Sequence, residues 1–435
     1  MTTPSPTTTA SARPVKAVIG ACAGNVVEWF DFLLYGLTAT ILAATFFPGD
    51  NDAAKLTATF GVYAVAFLAR PFGAIVFGRL GDRVGRRRAL TWSVLLMGLS
   101  TALIGVLPGY ASIGWLAPVL LLACRLVQGV SAGGEFAGAL TFALEHVAPD
   151  KLGVWLGVVA SSTWIGSLAA TLTLLGLLLG GAGPNAWRYA FVAGGVLALV
   201  GLYIRSRLEE TPEFTRMKEE GEVSKSPLRD AMRGGKRLVA VLAFFAFTSV
   251  LGHLAVGYLP THLAVTAGLK PVAVLTAMAI LFAMIALLAP LAGRLCDVVG
   301  RRPMILGSVA LGAVCMVPAY LLLSATSGGV RFLGLALMAV ATAGVLASGA
   351  VGIPELWPPQ SRYTGVGLTN QLALAVFGGT APLVGDTLVH ETGWAASPGL
   401  YAVVLGVIVL VLLAPRLPET RGRTTAPWPA EVSGA

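Results

Sequence analysis

The sequence predicts an all-α integral membrane protein with twelve transmembrane helices. Of its 435 residues, 56% are hydrophobic and only 12% are charged, about half the charged fraction of a soluble domain. The mean hydropathy is +0.80. Apolar runs of roughly 18–25 residues recur along the chain, and each is long enough to cross a bilayer as a helix. They are too long and continuous for the strands of a membrane barrel, which alternate over about ten residues.

Twelve spans can be placed along the chain from the ends of the apolar runs. They lie at about 17–46, 56–79, 89–108, 115–143, 152–180, 187–205, 238–265, 272–293, 303–324, 331–353, 364–389 and 398–415. Residues 1–16 are rich in Ser, Thr and Pro, which predicts a disordered cytoplasmic tail. This segment is not a signal peptide by its pattern, because the apolar run after it is too long and contains acidic residues.

The basic residues predict the orientation of the chain. With twelve spans both termini lie on one side, and 24 of the 30 Lys and Arg residues fall on that side. The opposite side holds only Lys55, Arg188, Lys270 and Arg331. Because basic loops stay in the cytoplasm, we expect a multi-pass protein of the cell membrane with both termini cytoplasmic. The same distribution accounts for the net charge of +9 without a nucleic-acid partner.

Three short patterns occur once in each half of the chain. GRLGDRVGRRR at 78–88 returns as GRLCDVVGRRP at 293–303, an offset of 215 residues. A Glu with a Pro four residues later follows span four and again span ten, at Glu145 and Glu355. LEETPE ends the first half and LPET ends the second. These ordered matches predict two six-helix repeats, the construction of transporters whose halves rock about a central site.

The repeats define the expected domain organisation. We expect a six-helix half over 17–205, a cytoplasmic linker over 206–237, a second six-helix half over 238–415 and a cytoplasmic tail over 416–435. The linker is expected because its stretch is polar, charged and contains Gly, unlike the apolar runs on either side.

The repeated loop predicts a gate at the cytoplasmic ends of the helices. Its glycines allow tight turns and close approach, and its aspartates can pair with arginines or interact with a helix N-terminus. Such a charged cluster can hold helix ends together in one state and release them in another. We assign to this gating loop Gly78, Gly81, Asp82, Arg83, Gly85, Arg86, Arg87, Asp297, Arg301 and Arg302. The alternative is a plain basic anchor, which leaves the repeated aspartate unexplained.

The paired loop motif in a chain with twelve spans resembles the major facilitator superfamily. Other segments resemble its metabolite:proton symporter branch, which contains proline/betaine, α-ketoglutarate, citrate and shikimate carriers. These segments are GNVVEWFDFLLYG at 24–36, AFLARPFGAIVFGRLGDRVGRRRAL at 66–90, RLVQGVSAGGEFAGA at 125–139, and PELWPPQSRYTGVGL with FGGTAPL between 354 and 383. The resemblance covers essentially the whole chain. It implies the major facilitator fold and proton-coupled uptake of a metabolite.

The first span carries two acids where a membrane helix should have none. Asn25, Glu28, Asp31 and Tyr35 are spaced 3, 3 and 4 residues apart, which places them on one helical face. An ionised acid within the bilayer costs a few kcal/mol or more, so this face must contact a cavity or a partner. We expect Glu28 and Asp31 to lie on a water-accessible face, where at least one of them carries the coupling proton.

Other polar residues within the spans are candidates for substrate binding. Arg70 and Arg125 can pair with the first-span acids, while Gln128 and Glu135 share a helical face. A histidine can change its charge near neutral pH, and an intramembrane Trp can contact a cationic group. The full set is Asn25, Tyr35, Arg70, Arg125, Gln128, Glu135, Trp164, His253, Tyr258 and Asn370. The alternative is a static buried network that fixes helix packing.

The motifs of other functional classes are absent from the sequence. No G-x-x-x-x-G-K-[ST] loop supports ATP-driven transport, and no H-E-x-x-H motif or nucleophile elbow supports an enzyme. The four cysteines are far apart and lack metal-ligand spacing. We therefore expect no metal, no cofactor and no enzymatic activity.

These observations predict a secondary active transporter that acts as a monomer. We expect import of a small polar organic solute by proton symport and alternating access. Two substrate classes stay open, a zwitterionic osmolyte such as proline or betaine and an organic acid such as α-ketoglutarate or citrate. The alternative mechanism is a proton-independent uniporter or an exporter, because fold does not determine direction or substrate.

Overall fold

Helices, and no strand, form the regular structure of the residues that can be described. The computed structural model describes residues 14–181, 183, 185–233 and 235–422. Of the predicted terminal tails, residues 1–13 and 423–435 lie outside the described residues.

The first half of the chain contains eight α-helices. They are α1 (Pro14–Leu37), α2 (Ala39–Phe46), α3 (Asp52–Arg83), α4 (Arg86–Val106), α5 (Tyr110–Ile113), α6 (Leu116–Leu144), α7 (Leu152–Leu179) and α8 (Ala186–Ser206). The prediction of one continuous first span over 17–46 is therefore wrong. The chain is interrupted at Thr38, whose hydroxyl donates to the Leu34 carbonyl at 2.7 Å, and such back-bonding bends helices.

The linker and the second half follow. Helices α9 (Pro212–Glu219) and α10 (Pro227–Met232) lie within the stretch predicted as a linker, 206–237. The second half comprises α11 (Gly235–His253), α12 (Leu259–Thr261), α13 (Pro271–Val299), α14 (Arg301–Leu323), α15 (Gly328–Glu355), α16 (Arg362–Ala373), α17 (Gly379–Thr392) and α18 (Pro398–Leu413). Short π-helical segments at Leu254–Tyr258, His262–Thr266 and Leu374–Gly378 continue the helical path between them.

The described residues contain the predicted number of spans. Eleven helical stretches are long and apolar enough to cross a membrane, and α18 is a shorter apolar helix. Several helices extend beyond the predicted edges; α3, for example, covers Asp52–Arg83 where the apolar run covers 56–79. Hydropathy marks only the part of a helix within the hydrocarbon layer, so the polar turns beyond it escape detection.

Glycine contacts bring α3 and α6 close together. A Cβ atom at Gly73 would lie 1.9 Å from the Val130 carbonyl oxygen, and one at Gly133 would lie 2.2 Å from the Arg70 carbonyl oxygen. Small residues of this kind let membrane helices pack at backbone distance. This contact brings the backbone of Arg70 against α6, the helix that carries Arg125.

The two halves meet closely at one end of the bundle. Helix α7 packs against α13, and α3 and α6 pack against α16. Gly153 and Gly293 approach each other so closely that a Cβ on either would lie 2.1 Å from the other's carbonyl oxygen. The loops of the repeated motif turn at this end through Gly85 (φ 130°) and Gly300 (φ 111°), a conformation that favours glycine. We call this end the motif-loop end.

Candidate functional site

A cavity of about 80 Å³ lies between the two halves. Five predicted site residues line it, namely Glu28, Arg70, Trp164, His253 and Asn370. Its other walls come from residues of both halves, among them Trp29, Phe136, Thr163, Phe244, Phe245, Thr248, Ser249, Thr342 and Gln371. Periodicity offers no signal for Trp29, because it follows Glu28 directly and lies off the polar face of α1.

An ion pair forms part of the cavity wall. Nη1 of Arg70 lies 2.6 Å from Oε1 of Glu28, and both side chains are only 2% exposed. Oε2 of Glu28 has no hydrogen-bond partner among the described residues. The Arg70 guanidinium also lies 4.3 Å from the centre of the Phe32 ring. Arg70 is thus held by an acid on one side and an aromatic face on another, while Glu28 keeps one oxygen free to bind a proton.

Aromatic rings form much of the remaining wall. The rings of Trp29 and Trp164 are stacked, with centroids 6.4 Å apart and an interplanar angle of 19°. The ring of Trp29 also contacts the imidazole of His253 at 6.0 Å, and Phe67 contacts the same imidazole at 5.7 Å. Nδ1 of His253 pairs with the Ser249 carbonyl at 2.9 Å. Because these rings belong to different halves, they also join the halves beside the cavity.

The second acid of the first span lies in a separate network. Oδ1 of Asp31 accepts hydrogen bonds from the Thr101 hydroxyl at 2.9 Å and from Nε2 of Gln128 at 2.8 Å. Oδ2 accepts from Nη1 of Arg125 at 3.0 Å, and this guanidinium lies 4.1 Å from the Tyr35 ring centre. None of these residues lines the cavity. Both Asp31 oxygens are therefore bonded, in contrast to Glu28.

Glu135 forms a third buried pair, separate from Gln128 although the two share a helical face. It accepts hydrogen bonds from Arg205 and from the Ser93 hydroxyl. Arg205 is 1% exposed and also donates to the carbonyls of Gly20 and Leu90 at 2.9 and 2.7 Å. Arg205 is not among the predicted site residues, because its position at the end of a span is also that of an ordinary positive-inside residue.

Three further predicted binding residues lie outside the cavity lining. Nδ2 of Asn25 donates to the Val159 carbonyl at 3.4 Å, and the Tyr35 hydroxyl donates to the Thr59 carbonyl at 3.2 Å. Tyr258 is 3% exposed. Their contact with a substrate stays a prediction.

The motif aspartates bridge the two halves. Oδ2 of Asp82 accepts hydrogen bonds from the backbone N–H of Thr364 at 2.9 Å and from its hydroxyl at 2.7 Å. The carboxylate of Asp297 accepts from the backbone N–H groups of Gly153 at 2.8 Å and Val154 at 3.1 Å. Each aspartate thus meets the first turn of a helix from the opposite half, where unpaired N–H groups favour a negative charge.

Buried ion pairs surround these contacts. Arg86 lies 3.2 Å from Glu145, and Arg362 of the other half lies 3.4 Å from the same carboxylate. In the second repeat Arg301 lies 3.5 Å from Glu355. The two sequence patterns, which recur in the same order in each half, therefore correspond to one charge cluster per repeat, and Arg362 ties the first cluster to the second half.

The LEETPE and LPET patterns each place a glutamate at the N-terminus of the helix that follows the motif loop. Glu210 accepts a hydrogen bond from the backbone N–H of Arg87 at 3.1 Å. Glu419 accepts from the N–H groups of Arg301 at 2.9 Å and Arg302 at 3.1 Å. Burial acts to raise the pKa of the Glu419 carboxyl, but backbone hydrogen bonds from Arg301, Arg421 and Arg302 lower it, and the resulting pKa lies below its usual value.

The remaining gating-loop residues differ in their contacts. A Cβ at Gly78 would lie 2.8 Å from the Thr364 Cα, and one at Gly81 would lie 2.1 Å from the Tyr363 ring. Arg83 is exposed, and no hydrogen bond or ion pair joins it to the described residues. Half of the predicted gating-loop residues therefore contact the opposite half of the chain, namely Gly78, Gly81, Asp82, Arg86 and Asp297. Arg87 and Arg302 instead bond within their own side of the chain, and Arg83 lies outside the interface.

The arrangement defines a class of protein. Two six-helix halves enclose a cavity whose largely apolar wall carries one buried ion pair, and they are joined at one end by paired charge clusters, which is the architecture of a secondary transporter. The sequence pattern of the Major Facilitator Superfamily matches residues 25–373 and 259–433. The chain belongs to this family, as the sequence predicts.

Curated relatives extend over nearly the whole chain. The ectoine/proline transporter ProP of Corynebacterium glutamicum is 33% identical over 424 residues, which cover 91% of this chain and 82% of the relative. The proline/betaine transporter of Salmonella typhimurium is 33% identical over 417 residues, with 91% of this chain and 82% of the relative covered. This chain is accordingly a membrane transporter of small molecules and not an enzyme.

Solved structures share the fold. The E. coli proton:xylose symporter XylE, bound to 6-bromo-6-deoxy-D-glucose, superimposes with a TM-score of 0.80 at 17% identity, over 95% of this chain and 98% of that chain. The human organic anion transporter MFSD10 gives a TM-score of 0.68 at 17% identity, over 92% and 99%. At this identity the likeness shows the fold alone.

Proposed function

We propose that the chain is a proton-coupled symporter that imports a small zwitterion of the proline and betaine kind. The relatives described above are named as transporters of proline with ectoine or betaine, which supports this substrate class. The observation that carries the proposal is the Glu28–Arg70 ion pair in the wall of a cavity that also presents stacked tryptophan rings.

The charges of the cavity wall favour a zwitterion over an organic acid. Arg70 is the only lysine or arginine in the described cavity wall, so protonation of Glu28 releases one cation, enough for one substrate carboxylate. A di- or tricarboxylate needs further cations, because an unbalanced charge in a buried site is costly. A zwitterion can place its carboxylate on Arg70, whose fork suits that group. Its ammonium group then lies against the faces of Trp29 and Trp164.

Competition for Arg70 provides the coupling. Ionised Glu28 occupies the guanidinium that the substrate carboxylate requires. A proton on Glu28 removes its charge and releases Arg70 for the substrate. Loss of that proton on the other side of the membrane restores the Glu28–Arg70 pair and expels the substrate carboxylate. Proton binding and substrate binding therefore strengthen each other, and by linkage the effect is reciprocal.

Glu28 suits the role of proton carrier better than Asp31. It lines the cavity and has one oxygen without a partner among the described residues. Asp31 lies outside the cavity, and three side chains donate to its two oxygens. In this proposal the Asp31–Arg125 pair positions α1 against α6 through all steps of transport.

The basic residues support a cytoplasmic position for the motif-loop end and for both termini. In this orientation the contacts of Asp82 and Asp297 close the cytoplasmic side. Alternating access requires these contacts to break before the substrate is released inwards.

Uptake into proteoliposomes with an inward proton gradient tests the proposal. Labelled proline, betaine, citrate and α-ketoglutarate are offered to the wild type, to Glu28→Gln, to Asp31→Asn and to the exposed control Glu219→Gln. We expect gradient-driven uptake of proline or betaine by the wild type and the control. A glutamine mimics protonated Glu28, so Glu28→Gln should still exchange substrate across the membrane. Its gradient-driven accumulation should be at least about tenfold lower than that of the wild type.

Three results would contradict parts of the proposal. Uptake of citrate or α-ketoglutarate without proline or betaine would overturn the zwitterion assignment. Normal accumulation by Glu28→Gln, together with loss of accumulation in Asp31→Asn, would identify Asp31 as the proton carrier instead of Glu28. Uptake by the wild type that ignores the gradient would leave a uniporter or an exporter of the same fold.

A further inference from the structure

A basic pocket of about 450 Å³ lies outside the transport cavity. It is formed by the last turns of α3 and by the linker segment around α10. Four of its lining residues are cationic, namely Arg79, Arg83, Lys225 and Arg229. Among the described residues no carboxylate lines it. The pocket therefore concentrates positive charge at the motif-loop end.

The four cations lack partners within the described part of the chain. Each is exposed, and none forms a hydrogen bond or an ion pair there. Arg86 and Arg301, by contrast, are buried at the same end and paired with carboxylates. Four like charges around one concave site repel each other, and an anion in the site relieves that repulsion.

The pocket continues a face of α3 that is apolar and exposed on the outside of the helix bundle. Leu68, Phe72 and Val76 are 70%, 62% and 39% exposed. Arg79 and Arg83 follow them at helical spacing on the same face. The helix thus presents an apolar stripe that ends in two arginines, where hydrocarbon gives way to the headgroup layer.

The geometry points to a binding site for an anionic phospholipid. Its phosphodiester lies among the four cations, and an acyl chain follows the α3 stripe. Guanidinium groups suit phosphate oxygens, and basic clusters at the membrane surface attract anionic lipids. A soluble phosphate compound has no apolar chain that could cover the α3 stripe, whereas a phospholipid has one. We therefore assign the site to a lipid. The site depends on the fold and not on the transported solute.

Native mass spectrometry of the purified full-length protein tests the site. Phosphatidylglycerol and phosphatidylcholine of the same acyl composition are titrated separately, and retained lipid is counted. The pocket variant is Arg79→Gln, Arg83→Gln, Lys225→Gln and Arg229→Gln combined. The matched control variant neutralises four exposed cations outside this pocket, namely Arg88→Gln, Lys151→Gln, Lys218→Gln and Lys236→Gln.

We expect the wild type and the control variant to retain phosphatidylglycerol in preference to phosphatidylcholine. The pocket variant should bind phosphatidylglycerol at least about tenfold more weakly. The double variants Arg79→Gln with Arg83→Gln and Lys225→Gln with Arg229→Gln should each show part of this loss, which guards against a fold defect in the quadruple variant.

Equal retention of both lipids by the wild type would overturn the proposal. Equal losses in the pocket and control variants would do the same, because the effect would then be one of net charge. In a third measurement, inorganic phosphate is added to the protein with bound phosphatidylglycerol. Displacement of phosphatidylglycerol by inorganic phosphate would assign the four cations to a soluble anion and overturn the lipid assignment.

Discussion

Arg70 combines a carboxylate partner with an aromatic face, and both contacts depend on its planar guanidinium. Glu28 lies 2.6 Å from Nη1, and the Phe32 ring lies 4.3 Å from the guanidinium carbon. The spacing of α1 predicts that Glu28 and Asp31 share a face with access to arginines. It does not predict that Arg70 selects Glu28 and Arg125 selects Asp31, because that choice depends on the relative depth of three packed helices.

Replacement of Arg70 by Lys tests the role of the guanidinium. Lysine keeps the charge but lacks the planar fork that binds a carboxylate through two hydrogen bonds. We expect the KM for the proposed zwitterionic substrate to rise at least about tenfold in Arg70→Lys. Arg207→Lys is the control, since Arg207 is exposed and also lies over an aromatic ring, that of Tyr203 at 5.2 Å. Equal KM values in both variants would show that charge alone suffices.

Glu419 should make the stability of the folded protein depend on pH. Its pKa lies below the usual value, so its ionised form stabilises the folded protein at pH above the unfolded pKa. This stabilisation is lost as the pH falls through the folded pKa. We expect thermal unfolding between pH 7 and about pH 3.5 to show a smaller acid-induced loss of stability in Glu419→Gln than in the wild type. Glu219→Gln should retain the wild-type slope.

Helices α3 and α6 show how the elements create the site. Their contact uses glycines that meet backbone atoms of the partner helix, and this contact sets the position of Arg70. Glycine content alone suggests close packing but cannot identify the facing residue. Similarly, π-helical segments follow His253 directly and begin at Leu374. Both residues line the cavity, and hydropathy cannot distinguish a π turn from an α turn.

A methyl group at Gly73 should disrupt this helix pair. Its Cβ would lie 1.9 Å from the Val130 carbonyl oxygen, a backbone atom that cannot move aside. We expect Gly73→Ala to lower the free energy of unfolding by about 1–3 kcal/mol. Gly61→Ala on the same helix should be neutral or stabilising, because among the described residues no atom beyond its neighbours and its own helix backbone lies within 4 Å of its Cβ. Thermal unfolding in detergent separates the two variants, and equal midpoints would contradict the packing argument.

At the scale of the whole molecule, the two halves are closed against each other at the motif-loop end. Asp82 and Asp297 each cross the interface to the first turn of a helix in the other half. Gly153, whose N–H donates to Asp297, also lies against Gly293, where the backbones of the two halves meet. Because these contacts belong to two rigid bundles, they form or break together, which suits a two-state gate.

Gly293→Ala should shift this equilibrium towards separation at the motif-loop end. Its Cβ would meet the Gly153 backbone at 2.1 Å, whereas a Cβ at Gly307 would meet no atom within 4 Å in the described part of the chain, apart from its neighbours and its own helix backbone. Cys296, which is 0% exposed, reports the change in a protein whose other three cysteines are replaced by serine. We expect alkylation of Cys296 to accelerate at least about fivefold in Gly293→Ala. The rate in Gly307→Ala should stay at the starting value, and equal rates in both variants would exclude this gate.

The class of this protein could be inferred from the chain alone. Composition, the number of apolar runs, the repeated loop and the resemblance of several segments identify a major facilitator transporter, because each of these signals is local in sequence. The identity of the partners could not be inferred in this way. That Glu135 pairs with Arg205, that Arg83 stays outside the interface and that Trp29 lines the cavity depend on how helices far apart in sequence pack and rotate. Those relations follow from close contacts between whole helices, which no local pattern encodes.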